Sequence, residues 1–457
     1  MSTPVDELTL LADADRRALT YLAGVATRRV IPDVDALAAL ARFDEPLPDV
    51  GHADAESLAL LDSVGSPGTV ASNGPHYFGF VIGAALPAAA AAERLMLAWD
   101  QCASSFDNSP TAAMLEAVAA RWVLEALDLP RESAVGFGTS ATACGIACLT
   151  AARRTLLARA GWDFDRQGLD GAPPIRVVVS ETVHVTVKKA LRVLGFGLDR
   201  VVVAPTDADG RIDPARLPAL DARTILCLQA GEVNTGEFDP FAAIMPIARA
   251  AGAWVHVDGA FGLWARASAD SAPLAADVEG ADSWTTDGHK WLNTPYDGAM
   301  AICRDASALA AAMNGDAVYA TAGAGPLGRD AQKNLTLEFS RRARGIPVWA
   351  ALRTLGRSGV AALVDRHRTQ ARRLADGLRA AGFEVINRVA LNQVLVRGAT
   401  DDATRQIRAD AVATGAVWFG MTVWQGRPAF RLSVSSWRTT DADIDAAIRT
   451  IAASTAR

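Results

Sequence analysis

The sequence predicts an α/β protein whose large domain is a doubly wound, mostly parallel sheet, with an N-terminal helical arm and a smaller α+β C-terminal domain. Three observations predict this architecture. In the middle of the chain, apolar runs of four to six residues alternate with helical patterns, which is typical of strands covered on both faces. Arg-rich helical stretches and short strands replace that alternation from about residue 346. Amphipathic helical patterns fill residues 6–42.

The domain boundaries follow these changes of pattern. A chain of 457 residues exceeds the usual size of one domain, so a large and a smaller unit are expected. Turn-forming residues between 43 and 75 indicate a connecting segment at the end of the arm. We therefore predict an arm over 1–75, a ligand-binding large domain over 76–345 and a small domain over 346–457.

The elements of the large domain are predicted in order along the chain. The helical pattern over 88–128 is interrupted at Asn108, and Ser109 is placed to cap a second helix that has Pro110 in its first turn. Helices are also predicted from the Gly/Ser/Thr turn to Arg154, and over 184–194 and 240–252. The apolar runs predict strands at 135–138, 175–180, 201–204, 224–229 and 254–257.

Composition excludes several classes of protein. Half of the residues are apolar and 21% are charged, which excludes a disordered chain. The net charge of −6 argues against a nucleic-acid partner. The uncharged run 77–92 has 16 residues and is too short to span a membrane, which takes about 20. Five cysteines without CxxC spacing, and an N-terminus without an apolar stretch, indicate reduced thiols and a cytoplasmic location.

Lysine is rare in this chain, which makes each one informative. Of 45 basic residues only four are lysine, namely Lys188, Lys189, Lys290 and Lys333. Lys290 stands between a histidine and a tryptophan in an otherwise apolar stretch. A surface lysine with a buried stem is the ordinary interpretation. The alternative is a desolvated lysine that loses its proton and forms a Schiff base with an aldehyde.

Polar residues at the ends of the predicted strands form a second group of candidates, because ligands of such sheets bind there. The turn at Thr139-Ser140-Ala141 opens a helix and suits a phosphate, although it is also an ordinary helix cap. Asp258 ends an apolar strand, where an acid is costly without a partner. His184 follows another strand, and His256 is predicted to be a core histidine. A phosphate cradle, a stacking ring, a buried acid and a lysine together describe a pyridoxal phosphate site.

The order of the motifs GTSAT, SETVHVTVKKA, HVDGAFG and SWTTDGHKW resembles the group II pyridoxal-phosphate-dependent decarboxylases. This family includes the aromatic amino acid, glutamate and histidine decarboxylases. Its signature is a serine and an aromatic or aliphatic residue, then five residues and the cofactor lysine, which Ser283, Trp284 and Lys290 fit. The resemblance covers about residues 70–440. It implies a fold-type-I enzyme, pyridoxal 5'-phosphate as cofactor, no metal, and a homodimer.

The resemblance also implies a role for each cofactor-binding residue. Lys290 would carry the internal aldimine, Asp258 would pair with the pyridinium nitrogen, and His184 would stack on the ring. Asp287 occupies a position that is asparagine in many relatives and is counted among the cofactor-binding residues. Asn234 and Thr235 would line the other side of the cofactor. The phosphate would be held by Thr139, Ser140, Ala141 and His289.

On the substrate side, Tyr77 falls where relatives line the side-chain pocket, and Arg431 falls where they place an arginine near the substrate carboxylate. Aromatic amino acid decarboxylases also carry a loop tyrosine that protonates the substrate carbon. Counting back from the paired arginines gives Gln332 at that position. The nearest tyrosine is Tyr319, which we place among the substrate-side candidates.

The predicted function is decarboxylation of an L-amino acid through a quinonoid that is protonated to an amine. Other fates of the same quinonoid stay open: decarboxylation-coupled oxidation to an aldehyde, carbon–carbon lysis, or transamination. A rival of another class is a catalytically silent scaffold subunit that binds the cofactor. The expected partners are an amino acid substrate and a second copy of the chain, with no nucleic acid and no membrane.

Overall fold

The computed structural model describes residues 6–315, 327 and 330–454. The helices are α1 (Glu7–Gly24), α2 (Val34–Ala39), α3 (Asp54–Leu60), α4 (Ser66–Gly68), α5 (Pro87–Trp99), α6 (Pro110–Ala126), α7 (Ala141–Arg159), α8 (Phe164–Gln167), α9 (Val185–Val193), α10 (Phe241–Ala251), α11 (Ala306–Met313), α12 (Gly345–Ala380), α13 (Asp401–Ala413) and α14 (Asp441–Ala453). The strands are β1 (Ala134–Gly138), β2 (Arg176–Ser180), β3 (Val202–Ala204), β4 (Thr224–Gln229), β5 (Trp254–Asp258), β6 (Ser283–Asp287), β7 (Ala299–Cys303), β8 (Glu384–Val385), β9 (Gln393–Arg397), β10 (Gly420–Trp424) and β11 (Arg427–Ser433).

The chain divides into two compact units. Unit 1 comprises the residues up to Ala84, Arg373–Val385 and the chain from Val396 onward. Unit 2 comprises Ala85–Arg372 and Ile386–Leu395. The residue ranges of these units differ from the predicted segments 1–75, 76–345 and 346–457. The division into those three domains stays a prediction.

Unit 2 contains a seven-stranded sheet in the order β1-β7-β6-β5-β4-β2-β3. The strands from β6 through β5, β4 and β2 to β3 are parallel, and β7 runs antiparallel to both of its neighbours. The prediction of a mostly parallel α/β sheet is confirmed. β6 and β7 were not predicted as strands. The sequence of β6, Ser-Trp-Thr-Thr-Asp, is too polar to give a continuous apolar run, yet every one of its residues is buried.

Helix α7 packs against β5, β6 and β7 and forms much of the core of unit 2. Cys144 and Cys148 of α7 are buried there as small core residues. The predicted start of α6 is also confirmed. The Ser109 hydroxyl accepts a hydrogen bond from the Ala112 N–H, and Pro110 is the first residue of the helix. These local signals therefore fix the two helices that flank β1.

Unit 1 contains β10, β11, β8 and the end of β9, which belong to a four-stranded sheet in the order β10-β11-β9-β8. β10 was not predicted. It pairs with β11 through a two-residue turn at Gln425 and Gly426, both of which have positive φ, the conformation that matches the twist of a hairpin. Within the described part of the chain, no helix combines the length and apolar character that crossing a membrane takes.

Candidate active site

The carboxyl ends of β1, β5 and β6 lie at one edge of the sheet in unit 2. Asp258 at the end of β5 is in register with Thr285 of β6. Gly138 at the end of β1 and Asp287 at the end of β6 both pair with Ala299, the first residue of the antiparallel β7 between them. This register brings the turn before α7 next to the end of β6.

The N-terminus of α7 is formed by the predicted Gly/Ser/Thr turn. Ser140 is the N-cap, and its hydroxyl accepts a hydrogen bond from the Ala143 N–H at 3.3 Å. The Ala141 N–H donates to Oδ1 of Asp287 at 2.7 Å. Thr139 and Ser140 are half-buried. The helix end thus presents hydroxyl and N–H donors at the edge of the sheet, a geometry that favours anions.

Lys290 lies in the turn that follows β6. Its Nζ forms an ion pair with Oδ2 of Asp287 at 3.1 Å, and 20% of its side chain is exposed. The other lysines have different surroundings. Lys188 and Lys189 are exposed on α9, whereas the buried Lys333 donates to the carbonyl of Gly315. Lys290 is therefore the lysine at the strand ends, and its role as the cofactor lysine stays a prediction.

His289 is held beside Lys290 as a neutral ring. Its Nδ1 accepts a hydrogen bond from the Gly298 N–H at 3.2 Å, which leaves the proton on Nε2. Nε2 lies 3.8 Å from Oδ2 of Asp287, and burial lowers the pKa of His289. The ring stacks on Tyr296 with 4.2 Å between centroids. His289 and Lys290 thus both lie beside Oδ2 of Asp287.

Asp258 is the second buried carboxylate at this edge, and it has few partners. Its Oδ1 accepts a hydrogen bond from the Ala260 N–H at 3.1 Å, and the residue is 8% exposed. No described arginine, lysine or histidine forms an ion pair with it. Two residues earlier, His256 is buried beside Ser283, and burial lowers its pKa to about 4, so it carries no charge at neutral pH. His256 is a core histidine, as predicted.

His184 caps helix α9 through its ring. Nδ1 accepts a hydrogen bond from the Thr186 N–H at 3.4 Å and lies 2.7 Å from the Thr186 hydroxyl. A ring that accepts at Nδ1 carries its proton on Nε2. His184 is therefore the cap of this helix, and its stacking on a cofactor stays a prediction.

Asn234 and Thr235 lie in a loop organised by a residue that the sequence analysis missed. Oε2 of Glu232 accepts from both of their N–H groups at 2.7 Å, and burial raises the pKa of Glu232. The Thr235 hydroxyl donates to the carbonyl of Asp209. The glutamate two residues before the Asn-Thr pair is the sequence signal for such a turn. The contacts of these side chains with a cofactor stay a prediction.

The substrate-side candidates are spread over both units. In unit 1, Tyr77 is 6% exposed and stacks on Trp418 with centroids 4.7 Å apart, and burial raises its pKa to about 12. Arg431 lies on β11, in register with Gly420. In unit 2, Gln332 is buried in a short 3₁₀ turn. Tyr319 lies outside the described residues.

A family model described as the pyridoxal-dependent decarboxylase conserved domain matches residues 61–397. The chain therefore belongs to the family of pyridoxal-dependent amino acid decarboxylases. It is a lyase, and its cofactor is pyridoxal phosphate. The resemblance inferred from the motifs is confirmed.

Individual relatives agree with this assignment. L-2,4-diaminobutyrate decarboxylase of Rhizobium meliloti is 27% identical over 425 residues, which cover 87% of this chain and 81% of the relative. Tryptophan decarboxylase 1 of Oryza sativa is 28% identical over 408 residues, covering 81% and 78%. The crystal structure of Oryza sativa TDC with PLP and tryptamine matches with a TM-score of 0.90 at 24% identity, over 100% of this chain and 99% of that one. The structural match shows that the fold is shared.

The residues at the strand ends fit pyridoxal phosphate on two observations. Asp258 is a buried carboxylate with one N–H partner, so a protonated ring nitrogen would supply the missing cation. Lys290 is a partly exposed amine at the same edge of the sheet. One feature agrees less simply: an N–H group of the helix end that suits the phosphate already binds the carboxylate of Asp287.

Proposed function

We propose that this enzyme removes the α-carboxylate of an L-amino acid as carbon dioxide and returns the corresponding amine. The observation that carries the proposal is the convergence of Lys290, Asp258 and the N-terminus of α7 at one edge of the sheet. An amine, an unpaired buried acid and an anion-binding helix end are the three groups that the chemistry needs. Membership of the decarboxylase family supports the same reaction.

Pyridoxal phosphate, when bound, supplies an aldehyde for the substrate amine and a ring that withdraws electrons from the bond to be broken. Lys290 would hold that aldehyde through Nζ, and the carboxylate of Asp258 would keep a proton on the ring nitrogen. The ring of His184 would pack on the cofactor, with Asn234 and Thr235 on its other side. The phosphate would be held by Thr139, Ser140, Ala141 and His289.

We further propose that the substrate carries an aromatic or apolar side chain. Tyr77, which the family resemblance assigns to the side-chain pocket, belongs to an aromatic group with Trp418 and the half-exposed Phe80. Arg431 would bind the substrate carboxylate. The test is a screen of L-amino acids that measures carbon dioxide, amine, aldehyde and peroxide together. Faster turnover of 2,4-diaminobutyrate than of any aromatic substrate would contradict this choice.

The buried position of Gln332 favours a second candidate, an aldehyde-forming reaction. An amide is no general acid, so Gln332 cannot protonate the substrate carbon, and its burial keeps it from approaching. If no other acid acts, oxygen and water would convert the decarboxylated substrate to an aldehyde, ammonia and hydrogen peroxide. Peroxide equal to carbon dioxide in the wild-type protein under air would replace the amine-forming proposal. Amine formation unchanged in Tyr319→Phe would exclude Tyr319 as the proton donor, leaving His184 as the next candidate.

We also propose that the enzyme is a cytoplasmic homodimer. The arm helix α1 exposes large apolar side chains, with Leu8, Leu11 and Leu19 at least half exposed, and such a face suits a second copy. All five cysteines are free, which supports a reducing compartment. Light scattering combined with an activity assay tests the dimer: a fully active monomer would contradict it.

A further inference from the structure

Asp287 occupies the anion-binding end of helix α7 with the protein's own charge. Its Oδ1 accepts the Ala141 N–H, the first of a 19-residue helix, at 2.7 Å. The Ser140 hydroxyl accepts the Ala143 N–H. Two of the first three N–H groups therefore already have acceptors. The positive end of a helix is where an incoming anion gains most, and here a carboxylate stands beside it.

The second oxygen of Asp287 faces the cationic side of the site. Oδ2 lies 3.1 Å from Nζ of Lys290 and 3.8 Å from Nε2 of His289. The side chain is 3% exposed, so solvent contributes little to balancing its charge. One carboxylate thus links the helix end to Lys290, and both links involve groups assigned to the cofactor.

In this arrangement the charge of Asp287 disfavours a phosphate at the end of α7. A phosphate bound at the end of α7 would bring a second anion next to a buried carboxylate, and like charges at such distance repel strongly when water is excluded. Any ligand that engages the amine of Lys290 also draws a counter-ion away from Asp287. The carboxylate therefore opposes the phosphate end of the cofactor more than the aldehyde end.

We propose that Asp287 is an internal competitor of the cofactor phosphate: it holds the helix end and Lys290 in place in the empty protein and weakens phosphate binding there. This inference rests on the assignment of the helix end to the phosphate in the proposed function. It is independent of which amino acid is decarboxylated and of the product.

The test compares pyridoxal phosphate with pyridoxal, which has the aldehyde and the ring but no phosphate. Dissociation constants are measured spectroscopically for both compounds on the apoproteins of the wild type and Asp287→Asn. Asparagine keeps the size and an acceptor for the Ala141 N–H but removes the charge. In Asp287→Asn we expect the dissociation constant of pyridoxal, divided by that of pyridoxal phosphate, to rise about tenfold, because only the phosphate is relieved of repulsion. Loss of the Lys290 ion pair affects both compounds and cancels in the ratio. In the same variant, the inhibition constant of inorganic phosphate against cofactor binding should fall about tenfold.

The matched control is Asp258→Asn, which removes a buried carboxylate at the same sheet edge. The partner of Asp258 is the Ala260 N–H and not an N–H group of α7. It should change both dissociation constants by the same factor and leave their ratio unaltered. An unchanged ratio in Asp287→Asn overturns the proposal. A lower ratio also overturns it and makes Asp287 a supporting ligand of the phosphate. If Asp287→Asn does not fold, Asp287→Ser serves with the same expectation. A wild-type protein that binds neither compound would instead contradict the proposed function.

Discussion

Two of the regions of unit 2 that contain buried charges satisfy them differently. Between α6 and the start of α12, Arg341 donates to both carboxylate oxygens of Glu116, at 2.9 and 2.7 Å, and the Gly345 N–H donates to one of them. At the end of β5, Asp258 has one backbone N–H and, within the described chain, no cationic partner. In the first region the carboxylate is paired with a cation of the protein, whereas in the second no described residue supplies one.

The difference separates a structural charge from one reserved for a ligand. Burying an ion is costly, and a pair recovers the cost only when its hydrogen bonds are made within the protein. The Glu116 carboxylate meets that condition without any ligand, through Arg341 and the Gly345 N–H. In the proposed function Asp258 would meet it only when the ring nitrogen of the cofactor binds. The predictions below test this distinction from the largest expected effect to the smallest.

Replacing Lys290 by alanine should have the largest effect. Without the amine that holds the cofactor's aldehyde, we expect decarboxylation to fall by about four orders of magnitude. Borohydride reduction of the wild type should fix a pyridoxyl group on Lys290, seen by peptide mapping, and should fix none in the variant. A label on Lys188, Lys189 or Lys333 would contradict the assignment.

Glu116→Gln should lower the stability of the fold and leave the catalytic activity nearly unchanged. It leaves Arg341 buried without its counter-ion, which costs about 3 kcal/mol in the free energy of unfolding. Denaturant titration measures this loss, and the activity per folded molecule should stay near that of the wild type. Asp165→Asn is the control, because it breaks a solvent-exposed pair with Arg154 and should cost less than about 1 kcal/mol. Equal losses in the two variants would refute the distinction between the regions.

Asp258→Asn should show the opposite pattern. The substitution keeps the size of the side chain but removes the charge that would hold a proton on the ring nitrogen. We expect the turnover rate to fall by about two orders of magnitude, with the stability of the apoprotein unchanged or raised. Steady-state kinetics and denaturant titration in parallel check both parts. Near-normal turnover would mean that another group pairs with the cofactor nitrogen.

The smallest effect concerns His256, which lies on the same strand as Asp258. Its pKa is about 4 in the folded protein and near 6.5 when unfolded, because burial opposes the charged ring. The unfolded chain therefore takes up the proton first, and this contribution to stability is lost as pH falls below 6.5 toward 4. Between pH 7.5 and 5 the wild type should lose about 2 kcal/mol more stability than His256→Asn, measured by urea denaturation. Identical pH dependence would show that the folded protein protonates His256 as readily as the unfolded chain does.

The sequence predicts the parts of this molecule that follow from local pattern. Apolar runs predict β1 to β5, and the residues just after them, Asp258 among them, emerge as site candidates because parallel strands end at one edge. β6 and β7 escape prediction. β6 has one apolar residue among hydroxyl and acidic residues, all of them buried, so it lacks the signal used for the others. β7 is a continuous apolar run, Ala-Met-Ala-Ile-Cys, and carries that signal although it was not predicted.

The contacts that complete the site arise from residues far apart in the chain, which no local pattern reveals. Asp287 and Ala141 meet because β1 and β6 share β7 as a neighbour, and Arg341 reaches Glu116 across 225 positions. Glu232 is the intermediate case. Its role in organising the loop at Asn234 is local, and a closer look at turn chemistry could have found it.

The antiparallel β7 also has a consequence for when the site can first exist during synthesis. β1 pairs with β7 alone, so Ala134 and Gly138 have no sheet partner until Cys303 and Ala299 have left the ribosome. The end of α7 cannot face β6 before that point, although α7 itself is made much earlier. Long-range pairing of this kind closes late in folding. In a nascent chain shorter than about 300 residues, the strand ends that we propose to bind pyridoxal phosphate are therefore incomplete, and we expect cofactor loading to follow translation of β7.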